Sequence, residues 1–239
     1  MMKKSKIQLI GKLKVSIIVF IVFSLGFLPL IVFGKFVLIF IQFNQLWHLF
    51  LLPFLIYIGI IITVYYQLII SGLVIYLFNI KYEPGIYEYN FKDKNSRKWI
   101  IICLLYTPMR KILEIFPIGE IKNRYYRLLG MKTGENTLIG GTIMDPCLTE
   151  IGSNCTIGLY SVIYCHIHDY EKGTISMDPV KIGNNVVIGA GAYIMPGVVV
   201  EDNVKIAAGA VVTKSQILKK GKTYAGIPAR EIKAKKKIR

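Results

Sequence analysis

The chain has 239 residues, is 54% hydrophobic and 18% charged, and carries a formal charge of +16 from 30 Lys and Arg against 14 Asp and Glu. Such an apolar fraction excludes a disordered chain, and four cysteines in this length exclude a small disulfide scaffold. One ordinary soluble domain is not both this greasy and this basic, so the average hides two unlike parts.

The greasy part comes first. Val15 to Phe33 is an apolar run of 19 residues, and Leu49 to Ile80 is a run of 32 residues without charge. Lys35 is the one charge between residues 15 and 80. A helix needs about 20 apolar residues to cross about 30 Å of hydrocarbon, so both runs are expected to span a bilayer. The second exceeds one span and is expected to tilt or to extend beyond the membrane. Pro29 and Pro53 lie inside the runs, where bilayer helices tolerate them. Trp47 and His48 stand where an interfacial belt belongs. Lys3, Lys4, Lys6, Lys12 and Lys14 precede the first run, and Lys81, Lys92, Lys94, Arg97 and Lys98 follow the second. This excess of positive charge places both ends in the cytoplasm. A cleaved signal peptide is the rival reading of the start, but its apolar region is normally about 7–15 residues long and closes on small residues. No Ala-x-Ala follows this run. Residues 1–80 are therefore expected to form an anchor of two transmembrane helices.

Residues 81–135 mix apolar and basic side chains, from Trp99, Ile100 and Ile101 through Arg110 and Lys111 to Lys122, Arg124 and Arg127. Pro108 and Pro117 are expected to cut the segment into short helices. A basic amphipathic helix suits an anionic lipid surface, and it equally suits a cap on the domain that follows.

From residue 136 the sequence repeats every six positions. Ile182, Ile188, Ile194, Val200, Ile206 and Val212 are all branched aliphatics, and of the residues four positions after them, Val186, Ala192, Val198, Val204, Ala210 and Gln216, five of six are small or apolar. An earlier array reads Ile139, Asp145, Ile151, Ile157 and Ile163, with Asp145 the one member that fails. Neither a helix nor a plain strand gives a period of six. A three-sided prism does, with a short strand on each face, the aliphatic pointing inward, and Gly or Asn permitting each corner. The coil at Asp145-Pro146 is expected to be irregular. The step from Ile163 to Ile182 is 19 residues, so a loop insertion at 169–180 interrupts the solenoid of residues 136–217. Loops thrown out of a regular solenoid commonly carry function.

Three stretches carry a family resemblance: Ile182-Gly183-Asn184-Asn185-Val186-Val187-Ile188-Gly189-Ala190, Met195-Pro196-Gly197-Val198, and Ala208-Gly209-Ala210-Val211-Val212-Thr213-Lys214. With the closing Tyr224-Ala225-Gly226-Ile227-Pro228-Ala229-Arg230 they resemble the hexapeptide-repeat acyltransferases, among them galactoside, xenobiotic and polysaccharide O-acetyltransferases. The resemblance covers about residues 136–233 and leaves the anchor and the surface segment outside. It implies a mainly β fold, a left-handed parallel β-helix, and a homotrimer with active sites between subunits. It also implies acyl transfer from acyl-CoA, with acetyl-CoA the expected donor and no metal. A histidine where the loop leaves the solenoid would be the general base, and Cys165-His166-Ile167-His168-Asp169 stands there. His166 is the first choice and His168 the competitor, both on one face if the strand is regular. Asp169 or Glu171 is in place to hold the imidazole in its tautomer. By the same resemblance Ala190, Ala208, Thr213, Lys214 and Arg230 match donor-binding places, the alanines leaving room for the pantetheine arm and the two cations meeting phosphates. Residues 218–239 form a CoA-side segment and a basic tail. After Lys214 the chain departs from the family's acidic and proline-bearing pattern with Ser215-Gln216-Ile217-Leu218-Lys219-Lys220.

Three rival functions are weaker. A zinc protein of the carbonic-anhydrase type needs three histidines, and here His48 lies at the membrane and leaves only His166 and His168. Cys147, Cys155 and Cys165 lack a C-x-x-C spacing, and Cys165 is expected to face away from His166. A scaffold without catalysis would not need the histidine or the interrupting loop. No nucleic acid partner is expected from the basic tail at Lys233–Lys237, because the same charge attracts polyanionic CoA and anionic lipid. The anchor points to a membrane acceptor, a lipid or a lipid-linked sugar.

Overall fold

The computed structural model describes residues 2–41, 44–115 and 119–232. Pro117 and the basic tail from Lys233 lie outside the described residues, as do the side chains of Lys3, Lys4 and Lys6. The chain divides into two units, Met1–Ile80 with Ile100–Ile112, and Lys81–Trp99 with Leu113–Arg239.

The first unit is helical. Helix α1 (Met2–Gly26) gives way at Phe27 to α2 (Leu28–Phe40), and a 3-10 turn (Leu46–Leu51) leads into α3 (Leu52–Leu77). Pro29 and Pro53 stand in the first turns of α2 and α3, where a missing N–H costs nothing. They start helices rather than interrupt them. Gln8–Phe40 and Leu46–Leu77 are long and apolar enough to cross a membrane. Their large side chains, such as Phe20, Val32, Leu38, Phe50 and Phe54, point outward and are well exposed. Gly26 is the close point of the packing, since a side chain there would collide with Gln67 of α3. Trp47 and His48 pack edge to face in the turn that opens the second apolar helix.

The second unit is built on three parallel sheets that the chain visits in rotation. One sheet holds Lys132–Thr133, Thr149–Ile151, Val180–Ile182, Val199–Val200 and Ile217–Leu218. The next holds Leu138–Ile139, Thr156–Ile157, Val187–Ile188, Lys205–Ile206 and Thr223–Ala225, closed by the antiparallel Arg230–Ile232. The third holds Thr142–Ile143, Val162–Ile163, Tyr193–Ile194 and Val211–Val212. In register, Ile157, Ile188 and Ile206 pair in one row, and Ile163, Ile194 and Val212 in another. The whole series from Ile182 to Val212 is buried, as are Val186, Ala192, Val198, Val204 and Ala210. The six-residue period therefore marks the inner wall. Asn154, Asn185 and Asn203 take positive φ at successive corners, a conformation that asparagine reaches more readily than most residues. A side chain on Gly189 would strike the backbone of Ala208, so that glycine sets how closely two coils stack.

Four features differ from expectation. Ile143, not Asp145, pairs with Ile163, because the corner at Gly140-Gly141 is short. Asp145 lies just beyond, before a 3-10 turn at Pro146–Leu148 that restores the count. The insertion at 169–180 is a hairpin, with His166–Asp169 antiparallel to Thr174–Met177. A strand of the preceding segment, Gly85–Glu88, pairs with that hairpin and makes a three-stranded sheet. Finally, α4 (Lys94–Ile115) runs through Pro108 instead of ending there. An internal proline costs a helix about 3 kcal/mol, and Leu105, Tyr106 and Met109 around it are all buried, so packing outweighs that cost.

Helix α5 (Gly119–Leu128) packs on the first coil. Lys122 is 2% exposed and donates to the carbonyls of Gly140 and Gly141, at 3.2 and 2.6 Å. Asn123 donates to Thr137 O, and Tyr126 Oη accepts from Ile143 N. Burial pushes the Lys122 ammonium below its ordinary value, with Glu114 acting the other way. Lys122→Met is expected to leave both carbonyls short of a donor and to cost about 1–3 kcal/mol. Thermal unfolding of the two proteins at equal pH checks this.

Candidate active site

The site sits where the hairpin leaves the third sheet. Residues 166 and 168 alternate with Ile167 on one strand, so both imidazoles project to one face, with ring centroids 5.5 Å apart. This is the geometry that the spacing predicts.

The partner of His166 is Asp145. Its carboxylate meets His166 Nδ1 at 2.9 Å through Oδ1 and 2.7 Å through Oδ2. Asp145 is 0% exposed, and it accepts two more bonds, from Tyr82 Oη at 2.6 Å and from the Cys165 N–H at 2.9 Å. Burial raises the carboxyl's pKa, but the bonds from His166, Tyr82 and Cys165 together outweigh it and hold the group below its ordinary value. An ionised carboxylate facing Nδ1 fixes the proton on Nδ1 and leaves Nε2 as the basic nitrogen.

Asp169 is elsewhere. Its carboxylate bonds the Lys172 backbone at 3.0 Å and its ammonium at 3.2 Å, closing the hairpin turn. The expectation that Asp169 holds the imidazole is therefore corrected. It sits three residues along a strand that carries it out to the hairpin end, while Asp145 reaches His166 from the neighbouring coil. Glu171, the other candidate, lies in the same exposed turn.

His168 has a different setting. Its ring packs edge-on against Tyr89 at 4.7 Å and Trp99 at 5.1 Å, and stacks on the exposed Tyr170 at 5.7 Å. Burial lowers its pKa, the nearby His166 lowers it further, and Asp145 opposes both. Trp99 also packs edge-on against His166, at 5.0 Å. Trp99 is placed by the start of α4, where Asp93 Oδ1 accepts the Ser96 N–H at 2.7 Å and caps the helix. Tyr164 stands edge-on to His166, at 6.3 Å, with its ring parallel to Tyr193.

Cys165 is buried with its Sγ against Thr149 Oγ1, and burial pushes its thiol far up. Burial pushes Cys147 up to about 12. Neither is a nucleophile at neutral pH. Among the described residues no group of three or more His, Cys, Asp or Glu is placed to hold a metal ion.

The expected donor-side residues occupy successive coils. Ala190 and Ala208 are exposed at one corner and stand one coil apart. The N–H groups of Gly191 and Gly209 donate to Leu159 O and Ala190 O, so these two amides serve coil stacking rather than a ligand. Thr213 Oγ1 bonds the Gln216 side chain at 3.2 Å. Lys214 is tied to the hairpin, 2.9 Å from Asp178 and 3.2 Å from Ser176 Oγ. Arg230 is exposed on the closing strand.

The sequence pattern described as "Bacterial transferase hexapeptide (six repeats)" matches residues 179–214. YvoF of Bacillus subtilis (strain 168), named as a candidate acetyltransferase, is 34% identical over 136 residues, which are 54% of this chain and 75% of YvoF. The delta-poly-L-ornithine synthetase of Acinetobacter baumannii (strain AB307-0294) is 27% identical over 134 residues, 56% of this chain but only 10% of that much longer relative. Among solved structures, a galactoside acetyltransferase in complex with coenzyme A is 25% identical, with a TM-score of 0.41, over 48% of this chain and 70% of that one. The inner six-residue wall, the closing strand and the match to three quarters of YvoF agree, and the chain belongs to the hexapeptide-repeat acyltransferase family.

Proposed function

We propose that this protein is a membrane-anchored acyltransferase that moves an acetyl group from acetyl-CoA to a hydroxyl of a sugar or a lipid-linked acceptor. The observation that carries it is the 2.7 Å contact between His166 Nδ1 and the buried Asp145 carboxylate. That contact leaves Nε2 of His166 as a base. Nε2 takes the proton of the acceptor hydroxyl as its oxygen attacks the thioester carbonyl carbon. The carbonyl π electrons move to oxygen, then return as the C–S bond breaks. The CoA thiolate leaves and receives the proton from the imidazolium. The thioester is electrophilic enough that no covalent enzyme intermediate is needed.

Ala190, Ala208, Thr213, Lys214 and Arg230 are the donor side of this proposal, with Lys214 exchanging Asp178 for a CoA phosphate. The fold is the family's left-handed parallel β-helix and the assembly a homotrimer. Two apolar helices long enough to span support the anchor, and the flanking lysines support a cytoplasmic catalytic domain. An anchor has a use if the acceptor is itself in the membrane.

Full-length protein in detergent, given acetyl-CoA and a panel of sugars, lipid-linked sugars and lipids, is expected to release free CoA in an acceptor-dependent way. No release with any acceptor would sink the proposal. Equal rates on free sugars and lipid-linked acceptors would sink the membrane acceptor alone.

A further inference from the structure

We propose that Tyr82, which stands outside the hexapeptide repeats, is a positioning residue that holds His166 in its working tautomer through Asp145. This rests on His166 being the base of the proposed reaction.

Asp145 has two oxygens and three donors. Cys165 N–H and the shorter His166 contact take Oδ2, and Tyr82 Oη takes Oδ1 at 2.6 Å. That distance is in the range of a charge-assisted O–H···O⁻ bond. Cys165 N–H is fixed by the backbone, and Tyr82 is fixed by burial, with 3% of its surface exposed. The two donors hold opposite ends of the carboxylate and set its plane, so the edge it presents to Nδ1 is always the same. Neither Asp145 nor His166 can set that plane alone. Without the hydroxyl, Oδ1 is a buried oxygen that keeps only the longer Nδ1 contact of 2.9 Å. The carboxylate can then turn or take a proton. In either case Nδ1–H loses its fixed acceptor, and the tautomer with the proton on Nε2 becomes populated. That tautomer cannot accept the acceptor's proton.

The segment that supplies Tyr82 is bound to the site at other points. Gly85–Glu88 pairs with the hairpin strand Thr174–Met177, and Trp99 packs on both histidines. The hydroxyl is thus delivered by a piece of chain built into the site, not by a passing linker.

The test is Tyr82→Phe in the full-length protein in detergent, with Tyr87→Phe as control, since Tyr87 Oη bonds Pro84 O and the Asn95 side chain rather than Asp145. Ring nitrogens of ¹⁵N-histidine protein are read by NMR below the melting transition of each variant, and kcat and KM by CoA release. In wild type the His166 signals should show a protonated Nδ1 and a bare Nε2. In Tyr82→Phe the two nitrogens should move toward each other, and kcat should fall about tenfold with KM for acetyl-CoA unchanged. Tyr87→Phe should match wild type in both readouts. An unchanged His166 pattern in Tyr82→Phe overturns the proposal, as does a loss that lies wholly in KM. A wild type with the expected tautomer but no acyl transfer would sink the acyltransferase reading and leave the role of Tyr82 standing.

Discussion

His166→Ala is expected to lower kcat/KM for acyl transfer by about 10²- to 10⁴-fold, the range that a positioned general base contributes. The imidazole is 12% exposed and bound on one nitrogen by a buried carboxylate, and no other side chain in the site offers the same base. His168 is its nearest rival, 5.5 Å away, but no carboxylate holds its ring. Its Nδ1 is buried without a hydrogen-bond partner among the described residues. His168→Ala should accordingly cost less than His166→Ala. Alanine at 166 also strips Asp145 of a donor inside the protein, at a cost of about 1–3 kcal/mol. His166→Gln separates the two effects. Its amide can still donate to Asp145, so its melting temperature should stay close to wild type while its activity falls as far as that of the alanine variant. Activity retained in the glutamine variant would show that 166 is not the base.

The inner wall was legible because it is a local rule repeated many times. Six consecutive members from Ile182 to Val212 carry it, and each of them is buried. The position of the two histidines was legible for the same reason, since the broken register at Ile163 to Ile182 marks where the chain leaves the wall. The carboxylate was not legible. The period put Asp145 on the inner wall, where it reads as a fault in the first coil. It is instead a displaced residue behind a short corner, and its partner is 21 positions away. A signal was present: an acidic residue at a place reserved for aliphatics is expensive unless it is paired, and such local rule-breaking tends to fall at functional sites. Asp169 was the more obvious choice because it is close in sequence, and strand geometry carries it away. Tyr82 and Trp99 had no signal of any kind. They lie in a segment with no repeat, and contacts distant in sequence, among them the pairing of Gly85–Glu88 with the hairpin, bring that segment to the site. Two long apolar helical stretches were legible from composition, but the helix starts at Leu28 and Leu52 were not, because Pro29 and Pro53 read as tolerated residues inside the runs rather than as first-turn residues.

Asp145→Asn should cost acyl transfer about 10³- to 10⁴-fold, the scale seen when the carboxylate behind a catalytic histidine becomes an amide. The carboxylate offers Nδ1 only acceptors. The amide offers an acceptor and a donor within the same reach, since Oδ1 and Oδ2 stand 2.9 and 2.7 Å from Nδ1. The Cys165 N–H cannot turn, so the amide oxygen must face it. The NH₂ group then takes the place of Oδ1, where it can donate to a bare Nδ1 and favour the proton on Nε2. Tyr82 Oη can reverse its role and accept, so the fold should survive. A stability difference follows from the same bonds. The Asp145 carboxyl titrates below its ordinary value in the folded protein. Its contribution is therefore present in full above the unfolded value of about 3.9 and is lost as the pH falls through the lower folded value. The melting temperatures of wild type and Asp145→Asn should differ at neutral pH and converge in acid. A gap that stayed constant down to the lowest pH at which both proteins fold would mean that the carboxylate is not held ionised by its three donors, and the case for Nε2 as the base would fall with it.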